Sequence, residues 1–385
     1  MVNRTCQLIS NKLLRKLFGY DEICENVNGT RYGKNCLLLY ITKPFRSRKS
    51  FHAHQNQWQV RELARIVGEF GYNVDVVDFS ARKVRFGHRY DMVIDLHPQT
   101  DAVYRNHLAD GCLRIAYLTG SNPRFANHAE QERCSDLEKR RGVAVQPRRQ
   151  SQLFDVPLLD DFDGVMFIGN EYNLKTYAEF DFKQVHLIRN TGYDFLLAGE
   201  VTPKAPSGFL YIANSGQVHK GLDLLLEVFR DLPDLKLHVC GRYLEETDFF
   251  DAYREELTGT HSIVPCGFLD INGEHFRNVL AECSYVLMPS CSEGLCGSVL
   301  TAMSAGLVPI VSRECGFDDD EVIPLPDCRI ETIRRYVLEY ADKSPEWVAA
   351  AGARVKAIVR NRYGADAYRE SVRAALRAIC GHTEA

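Results

Sequence analysis

Short runs of consecutive apolar residues recur along the chain, separated by segments with helical period. Asn35–Thr42 (NCLLLYIT) reads as a buried strand, and Gln57–Phe70 then places Val60, Leu63, Ala64, Ile66 and Val67 on one helical face, closed by Gly71. Asn73–Asp78, Asp91–Leu96, Leu113–Leu118 and Gly164–Ile168 repeat the strand pattern. Gly192–Ser207, with two prolines and two glycines, breaks both periods and reads as a linker. A second series follows: strands Phe209–Asn214, Leu235–Cys240, Ser262–Cys266, Tyr285–Pro289 and Leu307–Ser312, with helices at Gly221–Phe229 and near Ser298–Ala305. Strands that are apolar throughout and alternate with helices belong to parallel sheets covered on both faces. The pattern predicts an α/β chain with two doubly wound, Rossmann-like domains, residues 1–200 and 201–365, facing across a cleft. A last helix, Ala365–Ile379, carries Val372, Ala375, Leu376 and Ile379 as a stripe that must pack on something.

Composition agrees with this and narrows the partners. The 385 residues are 45% hydrophobic and 25% charged, which excludes disordered and coiled-coil classes. A net charge of −4, from 47 basic and 51 acidic residues, argues against a nucleic-acid partner. The charge is uneven: residues 1–200 hold 28 Lys and Arg against 24 Asp and Glu, leaving 19 against 27 for the rest. Basic clusters at Lys43–Lys49, Arg82–Arg89 and Lys139–Arg149 all lie in the first half. They suit an anionic partner or peripheral contact with the inner membrane face, and equally a solvated positive surface. The 13 cysteines show no Cys-x-x-Cys spacing, and no signal-peptide core precedes the first strand, so a cytoplasmic protein with reduced thiols is expected.

Two loops carry chemistry. Asn214–Asp223 (NSGQVHKGLD) leaves a strand and enters a helix, bringing Ser215, Gly216, His219 and Lys220 to a helix entrance suited to phosphate. It lacks the Walker spacing, and a lysine before glycine also describes a solvated cap. Pro289–Thr301 (PSCSEGLCGSVLT) does the same, with Gly294 and Gly297 freeing backbone amides and Glu293 offering a carboxylate to sugar hydroxyls or to the helix end. His52 and His54 follow the first strand, and His97 ends another. No third and fourth ligand accompanies the His-x-His pair, so no metal site is assigned.

Together these stretches resemble the nucleotide-sugar domain of the retaining glycosyltransferases of family 4, enzymes of the two-domain GT-B fold. The resemblance spans Phe209 to Ile379 and includes HKGLDLLLEVF, LKLHVCG, PCGFLD and YVLMPSCSEGLCGSVLTAMSAGLVPIVS. It implies that Lys220 neutralises a donor diphosphate, that Glu293 binds the transferred sugar, and that amides of Leu295, Cys296, Gly297 and Ser298 hold sugar and phosphate. Gly241, Arg242, Gly267 and Phe268 are implied to line the base pocket, with His54 near the reacting groups and the 366–385 helix crossing back to the first domain. The donor is then a nucleotide-diphosphate sugar bound without a metal or other cofactor, and the acceptor a glycan or lipid-linked acceptor in surface polysaccharide or glycoconjugate synthesis. Ser215 stands where the family has an arginine, leaving His219 or an arginine of the first domain to replace it. Thr301 stands where the family's Glu-x7-Glu motif ends, which gives up about 1 kcal/mol, roughly tenfold in affinity. The family's acceptor-domain histidine is not evident after Leu113–Leu118, where Thr119-Gly120-Ser121 follows. Those departures keep two other readings open, a non-catalytic GT-B partner subunit that binds sugar nucleotide or glycan, and an epimerase on the same fold. For the enzyme, Lys220→Ala and Glu293→Ala are each expected to lower turnover at least roughly a hundredfold with the fold intact.

Overall fold

The computed structural model describes residues 19–46, 54–96, 98–153, 159–197 and 207–381. His52, His97 and parts of the 43–49 cluster and the 192–207 linker lie outside them. In the first domain, strands β1 (Ile23–Cys24), β2 (Lys34–Tyr40), β3 (Tyr72–Asp78), β4 (Tyr90–Asp95), β5 (Leu108–Leu118), β6 (Gly164–Phe167) and β7 (Val185–Leu187) form one sheet in the order β1-β3-β2-β4-β5-β6-β7. Only β1 runs antiparallel, pairing Ile23 with Val77 at the edge. The second domain has β8 (Gly208–Ala213), β9 (Lys236–Gly241), β10 (Ile263–Gly267), β11 (Tyr285–Met288), β12 (Val308–Ser312) and β13 (Ile323–Leu325), ordered β10-β9-β8-β11-β12-β13 and wholly parallel. In each sheet the order reverses beside its first parallel strand, β2 or β8, and such switch points open a crevice at the carboxyl ends of the strands. The apolar runs are these strands, buried on both faces: Leu37, Leu38 and Leu39 of β2 and Val286, Leu287 and Met288 of β11 have no exposed surface.

Eight helices of eight residues or more cover the sheets among the described residues: α1 (Gln55–Glu69), α2 (Pro123–Arg141), α3 (Leu222–Phe229), α4 (Glu274–Glu282), α5 (Gly297–Ser304), α6 (Ile330–Ala341), α7 (Pro345–Arg362) and α8 (Ala365–Ile379). Helix α8 packs on α1 and on β6 and β7 of the first domain. There Tyr368 Oη lies 3.2 Å from Tyr117 Oη, and Arg373 Nε pairs with Glu69 Oε2 at 2.9 Å. None of these helices is long and apolar enough to cross a membrane.

Helix α2 has no counterpart in the sequence reading. It begins at Asn122, whose side chain accepts the Arg124 N–H, and ends at Gly142 with φ of 71°. Its buried residues are few, Pro123, Glu130, Cys134 and Leu137, so it has no apolar stripe to detect. What holds its far end is charge. Arg140 reaches Asp223 at 2.6 Å and Glu227 at 3.3 Å, and Arg141 reaches Glu256 at 2.7 Å while lying over the Tyr253 ring at 4.5 Å. Arg148 pairs with Asp248, and Arg133 donates to the Pro289 carbonyl at 3.0 Å. These four arginines and their partners lie on opposite domains. The 139–149 cluster is therefore largely an interdomain clamp, which corrects the reading of it as a solvated or membrane-facing surface.

Candidate functional site

A cavity of about 530 Å³ opens between the carboxyl ends of the two sheets. The loop after β8 turns at Gly216 and Gly221, both left-handed at φ of 78° and 79°, and delivers Lys220 to its wall. Gly221 is also close against β11, since a Cβ there would lie 2.5 Å from the Pro289 carbonyl oxygen. The loop after β11 brings in Glu293, whose Oε1 accepts hydrogen bonds from Lys220 Nζ and, at 2.9 Å, from Ser290 Oγ. Both members of this ion pair are more than nine-tenths buried. Burial raises the Glu293 carboxyl, but Lys220, Arg149 and His219 outweigh it and hold it at about 2.

His219 stands behind the pair and does not line the cavity. Its Nε2–H donates to the Ser292 carbonyl at 2.5 Å, while Nδ1 is buried without a partner, 3.9 Å from Glu130. Burial pushes the imidazole down to about 4, so it is neutral at pH 7. It supports the Glu293 loop from behind the wall and brings no charge to the cavity, unlike an arginine of the first domain, the other substitute expected for the arginine missing at Ser215. Ser215 itself is also off the wall. Arg149 is on it. Its stem crosses Gly216 so closely that a Cβ there would fall 2.4 Å from Arg149 Cδ. Its backbone N–H donates to both oxygens of Glu130 at 3.0 Å, a carboxylate only 1% exposed. No carboxylate among the described residues pairs with its guanidinium. The arm is fixed and the charge is left for a ligand.

Leu295, Gly297, Ser298 and Thr301 line the cavity, while Gly294 and Cys296 do not. The Cys296 N–H is taken by the Cys315 carbonyl at 2.9 Å. Gly294 is needed for a domain contact: a Cβ there would meet the carbonyl oxygens of Thr119 at 2.4 Å and Ile168 at 2.6 Å. The Glu293 carbonyl beside it accepts from Ser121 N–H at 2.9 Å and Asn173 Nδ2 at 3.0 Å, both of the first domain. Thr301 Oγ1 donates to Gly297 O at 2.8 Å and lies 3.4 Å from Gln55 Nε2, so α1 covers the N-terminus of α5.

On the base-pocket side, Gly241, Arg242 and Phe268 line the cavity and Gly267 does not. The Arg242 guanidinium lies 3.9 Å over the Phe268 ring, which is 57% exposed, and Arg242 Nε donates to Asn214 Oδ1 at 2.9 Å. From the first domain, His54 caps α1, its Nδ1 accepting the Asn56 N–H at 3.2 Å, and burial lowers its pKa. Asn56 Oδ1 is buried without a partner in the same wall. Gln59 Nε2 donates to Asn190 Oδ1 at 2.8 Å, and Asn190 Nδ2 to Leu295 O at 3.0 Å, linking the two domains behind the cavity. Sequence reasoning missed Gln55, Asn56, Gln59, Asn190 and Arg149. Only Arg149 had a signal, its place in a basic cluster. Among the described residues no group of three or more His, Cys, Asp or Glu side chains is placed to hold a metal ion.

No curated protein matches the sequence. Among solved structures, sucrose-phosphate synthase from Thermosynechococcus elongatus aligns with a TM-score of 0.64 at 13% identity, over 91% of this chain and 100% of that one. HepE from Anabaena, solved with UDP and glucose, aligns with a TM-score of 0.58 at 12% identity, over 89% and 100%. TarM from S. aureus, solved with UDP among other ligands, gives 0.52 at 13% identity over 75% of this chain, and this chain spans 55% of TarM. At such identities the likeness is one of fold. The chain has the GT-B fold, and residues 206–327, which carry Lys220 and Glu293, match the family described as Glycosyl transferases group 1.

Proposed function

We propose that the protein is a glycosyltransferase that moves a sugar from a nucleoside-diphosphate sugar to a glycan or lipid-linked acceptor, with retention of anomeric configuration. The observation that carries this reading is the buried Lys220–Glu293 pair, set with unpaired Arg149 in a cavity between two switch points. An arriving diphosphate takes Lys220 from Glu293 and meets Arg149 on its other side. Glu293, released from its cation, accepts hydrogen bonds from the sugar hydroxyls, and Asn56 Oδ1 offers a second acceptor. Charge that builds on the leaving diphosphate is stabilised by two cations already in place, a contribution of several kcal/mol in a closed site. The leaving phosphate itself takes the acceptor proton, so the step asks for no strong protein base, no metal and no other cofactor. Glu293 is the only carboxylate among the described residues of this wall, which favours transfer over an epimerase needing paired acid and base. The UDP and UDP-glucose complexes of HepE make UDP-sugars the first donors to try.

The test is acceptor-dependent release of nucleoside diphosphate from UDP-, GDP-, ADP- and dTDP-sugars, paired with thermal unfolding in each. A ligand at a hundred times its Kd adds about 2.7 kcal/mol, a shift of several degrees. Binding of one donor without acceptor-dependent release supports the partner-subunit reading, and no binding of any donor refutes both.

A further inference from the structure

A second cavity, of about 460 Å³, adjoins the first and shares Leu96, Thr119 and Arg149 with it. Every residue that lines it belongs to the first domain. Its wall carries two guanidinium groups, Arg82 and Arg149, with the hydroxyls of Ser80, Thr119, Ser121 and Ser151, and no carboxylate among the described residues. Arg82 follows β3, and its loop is fixed by backbone rather than side chain: the N–H groups of Arg82 and Lys83 both donate to Asp21 Oδ2, at 2.7 and 3.0 Å.

The pairing of the neighbouring cations makes this wall unusual. Arg140, Arg141 and Arg148 each meet a carboxylate across the domain interface. Arg149, next along the same arm, and Arg82, exposed on the same wall, meet none among the described residues. A concave wall that carries charge of one sign focuses its field into the opening and attracts an anion. The entrance of α2 lies in the same wall through Gly120, Ser121 and Pro123, so the partial positive charge of that helix adds to the potential.

We propose that this second cavity is the acceptor subsite, and that the acceptor carries an anionic group, phosphate or carboxylate, bound by Arg82 with Arg149 at the junction. The inference rests on reading the first cavity as the donor site. The hydroxyl-rich wall suits a sugar, and the shared edge at Thr119 brings an acceptor hydroxyl toward the sugar held by Glu293. Arg82 selects the acceptor and does not touch the donor.

The test is calorimetric titration of wild type, Arg82→Ala and Arg82→Lys with glucose, glucose 6-phosphate and glucuronic acid, each in the presence of saturating UDP, with UDP, GDP, ADP and dTDP titrated separately. The proposal expects at least one of the two anionic sugars to bind at least tenfold more tightly than glucose. That preference should be lost in Arg82→Ala and partly kept in Arg82→Lys, with UDP affinity the same in all three proteins. Phosphate-only or carboxylate-only preference identifies the anion. Equal or absent binding of all three sugars, or a charge preference that survives Arg82→Ala, overturns the proposal while normal UDP binding leaves the donor reading standing. Failure of UDP, GDP, ADP and dTDP alike to bind, with an Arg82-dependent anion preference intact, removes the donor reading and leaves an anion pocket.

Discussion

The Lys220–Glu293 pair makes a prediction that differs from the expectation of single substitutions that leave the fold intact. A carboxyl held at about 2 instead of its ordinary 4.5 is worth about 3 kcal/mol to the folded protein at neutral pH. Lys220 is the largest of the influences that hold it down. Because the folded value lies below the unfolded one, this stability is present in full above about pH 4.5 and is lost as the pH falls toward 2. Removing one partner of a buried pair costs about 3–5 kcal/mol, since the other charge stays buried without compensation. Lys220→Met and Glu293→Gln should each lower the melting temperature by roughly 6–20 °C at pH 7, at about 2–4 °C per kcal/mol for a domain of this size. The double variant has no orphaned charge, and it should recover most of one single loss, a coupling of about 2–3 kcal/mol. Calorimetric melting of the four proteins at pH 7 and pH 3 measures this. Strict additivity in the double variant, or singles that melt with wild type, refutes the argument that the pair is closed and buried in the unliganded site. Turnover reads out separately: the double variant regains stability and stays inactive.

Two further outcomes follow from the same geometry. Gly294→Ala forces a Cβ against the carbonyl oxygens of Thr119 and Ile168, backbone atoms that yield only if the domains part, so small-angle scattering should show an expanded molecule and turnover should fall at least roughly tenfold. His219, held at about 4 against an ordinary 6.5, binds its proton in the unfolded chain before the folded one, so its contribution to stability declines as the pH drops from 6.5 toward 4. Asp223, raised to about 6 chiefly by burial, works in the opposite sense over much of the same range. The measurement is therefore the difference between wild type and His219→Gln in urea unfolding at pH 7 and pH 4.5. A difference that does not shrink with acidification contradicts the neutral, buried imidazole.

Much of the fold was legible because its strands are covered on both faces. Such strands are written as unbroken apolar runs, and Leu37–Leu39 and Val286–Met288 are what the structure buries completely. Lys220, Glu293, Arg242 and Phe268 were placed at the cleft for a related reason, since each stands in a loop that leaves a strand at the carboxyl edge of its sheet, whereas Thr301, inside α5, was reached through its spacing from Glu293. Helix α2 was not legible because only four of its 19 residues are buried, and its far end is anchored by arginines whose partners are more than 80 residues away. Gln55, Gln59 and Asn190 escaped because an uncharged amide has no spacing that marks it before the chain is folded. The same limit hid the purpose of Gly294, placed in the ligand wall when the obstacle a Cβ would meet is the other domain.

These misses share a cause, and it bears on how the site works. The sequence showed a basic first half and an acidic second half, and the structure shows the two signs meeting at Arg140–Asp223, Arg141–Glu256 and Arg148–Asp248. Arg149 is the next residue on that arm, so its position over Gly216 depends on the clamp. The Glu293 carbonyl is likewise held by Ser121 and Asn173 of the first domain. Opening the cleft therefore withdraws Arg149 from the cavity and releases the Glu293 loop in one movement. On the donor reading proposed above, the second cation comes from the opposite domain, so the site is complete only when the domains are closed, and an open form would keep Lys220 alone against a diphosphate. Closure and assembly of the site are then one event, which ties the charge asymmetry first seen in the sequence to the chemistry of the cleft.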